Sequence, residues 1–151
     1  MPYLLDTNIL LRSIEPGHPM HAEAVESVAL LLSAGETVGV LPQNIAEFWN
    51  VCTRPAISNG LGLSAGNAEQ EVMQIESILD VFPDRPEAYD RWKEIVVKHS
   101  VLGVKVHDAR IAAAMNVHDI ENIVTFNDKD FRRYEGITAF TPQKIIGLYT
   151  P

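Results

Sequence analysis

Apolar positions along the chain alternate between short continuous runs and longer stretches with helical spacing. Tyr3-Leu4-Leu5, Thr37 to Leu41, Ile123-Val124-Thr125 and Ile137 to Phe140 are β-branched or apolar and flanked by polar, Gly or Pro residues, which predicts buried strands. Val81-Phe82 is a weaker fifth candidate. Between these runs the period changes. His21 to Ser33 carries Ala22, Val25, Val28, Ala29 and Leu32 on one face, and Ile45, Phe48, Trp49 and Cys52 form a second apolar stripe. Val72, Ile75, Ile78 and Leu79 make a third, Trp92, Ile95 and Val96 a fourth, and Asp108 to Asn116 reads as a short Ala-rich helix. Strands that alternate with helices predict an α/β fold with a mostly parallel sheet.

Gly and Pro fall where this pattern breaks. Pro16-Gly17 closes the first element, Ser58-Asn59-Gly60 opens a loop running to about Gly66, and Pro83 and Pro86 flank Asp84-Arg85. No repeat, low-complexity tract or long linker divides the 151 residues, so residues 1–151 are expected to form a single domain. A hydrophobic fraction of 46% with 21% charged residues excludes disordered, collagenous and coiled-coil chains. The formal net charge of −8 argues against a protein that grips nucleic-acid phosphates with its own cations, though not against one that meets phosphate through a bound cation. It also suits a basic protein partner. The single cysteine, Cys52, allows no intrachain disulfide. With no basic leader and no apolar run near the roughly 20 residues of a membrane span, the expectation is a cytoplasmic protein.

Four acidic positions stand out by their placement. Asp6 follows the apolar run Leu4-Leu5, so it lies at the carboxyl end of the first strand, where it would also serve as a helix N-cap. Glu47 points away from the Ile45, Phe48, Trp49 and Cys52 stripe on a helical wheel, and alone would be a solvated glutamate. Asp108 heads the Ala-rich helix, where an acid also favours the helix dipole. The segment Thr125-Phe126-Asn127-Asp128-Lys129-Asp130-Phe131 follows a strand and is rich in turn formers. The carboxyl ends of parallel strands share one edge of the sheet, which is where ligands of such sheets bind. Carboxylates about 5 Å apart repel by roughly 3 kcal/mol per pair at an effective dielectric of 20, so such a cluster would raise its own pKa values or take up a cation. Hard divalent cations prefer that oxygen chemistry.

Taken together, these motifs resemble the PIN-domain ribonucleases, in particular the VapC-type toxins of type II toxin–antitoxin systems, over nearly the whole chain. Leu4-Leu5-Asp6-Thr7-Asn8-Ile9-Leu10 is similar to the family's opening motif, Glu47 stands where the family has its helical glutamate, and His107-Asp108-Ala109-Arg110-Ile111-Ala112-Ala113-Ala114 is similar to its third motif. The Thr125 to Phe131 segment resembles the closing motif, with one departure: Asn127 stands where many relatives have an aspartate. The fourth acid is then Asp128 or Asp130, with Asp130 favoured by the Asp-Phe match. The resemblance implies a three-layer PIN-like domain, a central mostly parallel sheet flanked by helices. It implies a metal-dependent endoribonuclease acting on tRNA, rRNA or mRNA. Asp6 and Asp108 would hold Mg²⁺ or Mn²⁺. Glu47 and the fourth acid, Asp130 or Asp128, would complete the site. Thr7, Asn8, Thr125 and Asn127 would hydrogen-bond the carboxylates or the phosphate. It further implies a homodimer and a cognate antitoxin that fills the active-site groove.

The remaining features carry less. His18-Pro19-Met20-His21 has a metal-like spacing but sits at a turn, and His107 would line the pocket or serve structure. Lys129, Arg132 and Arg133 form a small basic cluster beside the fourth acid, read either as a solvated face or as an RNA contact. A phosphatase with a strand-end aspartate nucleophile would need a second acid where Asn8 stands. The alternative function is a catalytically weak or inactive PIN-like binding module acting through a protein partner.

Overall fold

The computed structural model describes residues 1–151. Five strands form one sheet: β1 (Pro2–Leu5), β2 (Thr37–Val40), β3 (Asp80–Val81), β4 (Asn122–Val124) and β5 (Thr138–Phe140). All four pairings are parallel, in the order β3-β2-β1-β4-β5. The expected mostly parallel sheet is thus parallel throughout. Parallel neighbours need a crossover, and helices supply most of them. The helices are α1 (Thr7–Ser13), α2 (His21–Ser33), α3 (Pro42–Thr53), α4 (Ala65–Ile78), α5 (Glu87–Lys98), α6 (Val106–Val117) and α7 (Pro142–Tyr149).

Alternation along the central strands separates the two flanking layers. Tyr3 and Leu5 of β1 and Val124 of β4 face a cluster that includes Ile9, Leu31, Phe48, Cys52, Val72 and Ile145, drawn from α1, α2, α3, α4 and α7. Leu4 and Ile123, one residue out of phase, face the other cluster, built on Ile95, Ala112, Ala113 and Met115 of α5 and α6. Leu4 and Ile123 are partners across the β1–β4 pair, and both are fully buried. The alanines of α6 explain its position. Ala109, Ala112 and Ala113 are fully buried, so small side chains let this helix lie close to both the sheet and α5. Gly39 in β2 has a similar role: a Cβ there would lie 2.5 Å from the Phe82 ring and 2.7 Å from the Asp80 carbonyl.

Several element boundaries differ from those expected. The strands end one residue sooner than the apolar runs, at Val40 and Val124, because Leu41 and Thr125 already belong to the turns leading out of the sheet. Helix α6 begins at Val106, so Asp108 lies inside its first turn and is not the cap. Helix α7 was not expected. It is short, and its start is set by Thr141, whose hydroxyl accepts from Lys144 N at 3.3 Å. No helix is long and apolar enough to cross a membrane.

Candidate active site

The strand order fixes where a site can form. From the central β1 the chain moves outward through β2 and β3, then returns to place β4 on the other side of β1. Beyond the carboxyl ends of β1 and β4 the chain diverges to opposite sides of the sheet and leaves a crevice. Asp6 follows β1 at that point and Thr125 follows β4. Their backbones are still joined there, Asp6 N donating to Val124 O at 3.0 Å.

A polar network holds the Asp6 carboxylate. Thr7 N donates to its Oδ1 at 2.9 Å, which caps α1, and the Thr125 hydroxyl donates to its Oδ2 at 2.8 Å. Thr125 Oγ1 in turn accepts from Asn8 Nδ2 at 3.3 Å and from Asn127 N at 3.0 Å. Asn8 Oδ1 accepts from Phe126 N at 3.3 Å. On the other side, Asn44 of α3 accepts from Leu41 N at 2.9 Å and donates to Thr7 Oγ1 at 3.3 Å. Asp6 is therefore at once a helix cap and the centre of a rigid acceptor group. Its pKa rises from 3.8 to about 6, mainly through burial, with the charges of Asp108 and Glu47 adding to it against the hydrogen bonds from Thr125 and Thr7.

Glu47 and Asp108 approach from two helices. Glu47 lies one helical turn beyond Gln43, and the Gln43 amide donates to the His107 carbonyl at 3.0 Å, which ties α3 to the head of α6. Glu47 Oε1 is buried without a hydrogen-bond partner. Burial pushes its pKa up, and the charge of Asp108 adds to this. Asp108 is raised in the same way, by burial first and then by the charge of Asp130. Asp130 belongs to a short 3₁₀ turn, Asp128–Phe131, that follows β4 and is anchored by the buried Phe131.

The structure thus brings Asp6, Glu47 and Asp108 within electrostatic reach of one another, and Asp130 within reach of Asp108. Asp128 stands apart, in an ion pair with Arg132 at 2.6 Å. Asn127 contributes its backbone, not its exposed side chain. The basic cluster is likewise divided, since Arg132 is engaged by Asp128 and Arg133 lies over the Tyr134 ring. His18 and His21 do not form a shared site: His18 Nδ1 accepts from Met20 N, and His21 Nδ1 pairs with the Arg12 carbonyl.

Two contributors escaped the sequence reading. Lys105 places its ammonium 3.0 Å from Asp130 Oδ1 and 3.9 Å from Asp108 Oδ2, so a cation of the chain already sits between two of the acids. Its spacing of three from Asp108 on one helical face was the available signal. Asn44 was the other, visible only as a polar residue in the first turn of an apolar-faced helix. As placed, no three acidic, thiol or imidazole side chains converge closely enough to enclose a metal ion. The donor set nonetheless suits a hard divalent cation: four carboxylates, three with raised pKa values, and an unpartnered oxygen on Glu47.

The sequence matches the PIN domain family over residues 3–137. Among curated proteins no sequence matches the chain. Among solved structures, VapBC2 from Rickettsia felis bound to a DNA fragment from its promoter aligns with a TM-score of 0.68 at 18% identity, covering 93% of this chain and 98% of that one. The DNA-bound VapBC from Salmonella typhimurium gives 0.68 at 19% identity, over 94% and 98%. Mycobacterium tuberculosis VapC20, a toxin that cleaves the sarcin–ricin loop, gives 0.62 at 17%, over 85% and 92%. At these identities the likeness is one of fold.

Proposed function

The chain belongs to the PIN domain family, and on that premise we propose that it is a Mg²⁺- or Mn²⁺-dependent endoribonuclease and the toxin of a toxin–antitoxin pair. The observation that carries this reading is the meeting of Asp6, Glu47 and Asp108, all with raised pKa values, at the switch point of the sheet. Desolvated acids that raise one another's pKa values favour a cation over bulk water.

Asp6 and Asp108 would hold the cation, with Glu47 and Asp130 completing the pocket. When bound, the cation supplies positive charge that makes water acidic enough to attack near neutral pH and that offsets charge building on the scissile phosphate. The chain's own residues do the rest. Thr7 N–H and the Thr125 hydroxyl fix both oxygens of Asp6 and orient their remaining lone pairs. Glu47 Oε1, free of any partner, is the acceptor for the proton leaving the attacking water. The buried wall of Thr7, Asn44 and Thr125 limits the water that reaches Asp6.

A chain of net charge −8 with an acidic groove suits an antitoxin that presents a basic segment, and we place the pair in the cytoplasm, with the toxin as a homodimer. Two of the solved structures with this fold are VapBC complexes, which supports a partner of that kind. The competing reading is a binding module without catalysis. What favours it is that no three acids enclose an ion as placed.

Digestion of total cellular RNA with purified protein and Mn²⁺ tests both, with Asp108→Asn alongside and the cut ends mapped. Discrete cuts present in the wild type and absent in the variant are expected. No cuts and no Mn²⁺ uptake in a parallel titration would leave the binding module. Cleavage by Asp108→Asn at the wild-type rate would remove Asp108 from the site.

A further inference from the structure

Beside the acids, not over them, lies a larger cavity of about 610 Å³. It is enclosed by α5, α6 and the Pro83–Pro86 segment. Gln43, Asp84, His107 and Arg110 line both this cavity and the groove that contains Glu47, so the two are contiguous. Its volume is in the range of small-ligand sites, about 300–1,000 Å³.

Two kinds of chemistry meet in its walls. Tyr89 and Trp92 contribute aromatic surface, their rings stacked 6.3 Å apart at 28°. Trp92 is held in place by its indole N–H, which donates to the Val106 carbonyl at 2.8 Å. Arg85 and Arg110 contribute charge. Five of the chain's lysines and arginines are tied up in side-chain ion pairs, whereas neither of these two is in one. Asp84 is the one acid in the lining, against two arginines. In so acidic a chain, this is a local concentration of unpaired positive charge, and the charge of Arg110 also reaches Glu47.

Single-stranded nucleic acid is held by this combination: bases stack on aromatic rings while cations track the backbone. We propose that the cavity receives one unstacked base of single-stranded RNA adjoining the phosphate delivered to Asp6 and Glu47. Tyr89 and Trp92 form the platform for the base, and Arg85 and Arg110 contact the flanking phosphates. This rests on the ribonuclease reading above and adds to it a requirement for an unpaired nucleotide.

The chain has only two tryptophans, and Trp49 lies with the core on the opposite face of the sheet, so indole fluorescence reports the cavity directly. Wild type is titrated with ribo-oligonucleotide hexamers of each base, in EDTA so that no cleavage occurs. Quenching is expected, and Trp92→Phe should abolish it while leaving Trp49 emission. Tyr89→Ala, an exposed position where folding is not at issue, should weaken hexamer affinity about tenfold. Arg85→Gln with Arg110→Gln should lower affinity and flatten its salt dependence by one to two phosphates. Wild type that cuts RNA with Mn²⁺ while these variants bind hexamers and cut as it does would overturn the cavity proposal and leave the nuclease standing. Variant-sensitive binding by a protein that cuts nothing would support the cavity and sink the nuclease. Loss of both binding and cutting in the wild type would overturn the two together.

Discussion

Replacing Asp6 with asparagine should make the metal-free protein more stable at pH 8 and slightly less stable at pH 4. The Asp6 pKa is about 6 in the folded protein against 3.8 for the open chain. Between those values the folded state binds the proton more tightly, so stability attached to this group is complete below pH 3.8. It is lost as pH rises through 6. Two units at 1.36 kcal/mol each give about 3 kcal/mol, an upper figure because the carboxylate keeps some solvent contact. Asparagine carries no charge to desolvate, but its amide can accept only one of the two hydrogen bonds now made by Thr7 N and Thr125 Oγ1. That loss costs about 1 kcal/mol at every pH. The net is a gain of about 1–2 kcal/mol at pH 8 and a loss of about 0.5 kcal/mol at pH 4, where the open-chain carboxyl is still largely ionised. For a chain of this size 1 kcal/mol moves Tm by about 2–4 °C. Urea denaturation and thermal melts of both proteins in EDTA, at four or five pH values between 4 and 8, should show the difference change sign at about pH 4.5. A variant that is less stable throughout, or a difference that does not move with pH, would refute the view that burial of this carboxylate dominates its energetics.

Three further outcomes follow from the same geometry. Lys105→Gln removes the ammonium that lies between Asp108 and Asp130, so calorimetric titration should find Mn²⁺ bound several-fold more tightly. Weaker binding would mean that Lys105 helps to build the site. Thr125→Val should destabilise by about 1–2 kcal/mol in urea and push the Asp6 pKa above 6, read from its carboxyl carbon by NMR, because the valine can neither donate to Asp6 nor accept from Asn8 and Asn127. The Cys52 thiol is buried and pushed up to about 11, so it should resist a thiol reagent at pH 8 until the protein unfolds. Rapid labelling of native protein would contradict that burial.

Much of this arrangement was legible in the residue pattern because the physics there is local. Apolar runs that end in Asp6 and Thr125 announce strands that stop at polar side chains, and parallel strands deliver both to one edge. The wheel position of Glu47 also carried over, since its carboxylate leaves the apolar stripe, although half-buried against α6 and not solvated. What was not legible depends on contacts between distant segments. Nothing near Lys105 says that residues 128–131 will fold back to place Asp130 at 3.0 Å from it. The cap reading of Asp6 needed only the next residue, since one oxygen accepts from Thr7 N, whereas the donation from Thr125 to its other oxygen joins segments far apart in the chain. Helix α7 was missed for a different reason: at eight residues it is too short for its period to show, and only Thr141-Pro142 marks its start.

The central place of β1 has a consequence for how the chain is made. Its first neighbour, β2, emerges from the ribosome soon after it, but its second, β4, follows about 80 residues later than β2. At about 5–20 residues per second that interval is about 4–16 s, during which one backbone edge of Tyr3-Leu4-Leu5 has no partner. Thr125 and Asp130 arrive only at the end of it. A pocket that draws on Asp6 at one side and on Thr125 and Asp130 at the other therefore cannot assemble when β1 and β2 first pair, and has to wait until residue 130 has emerged.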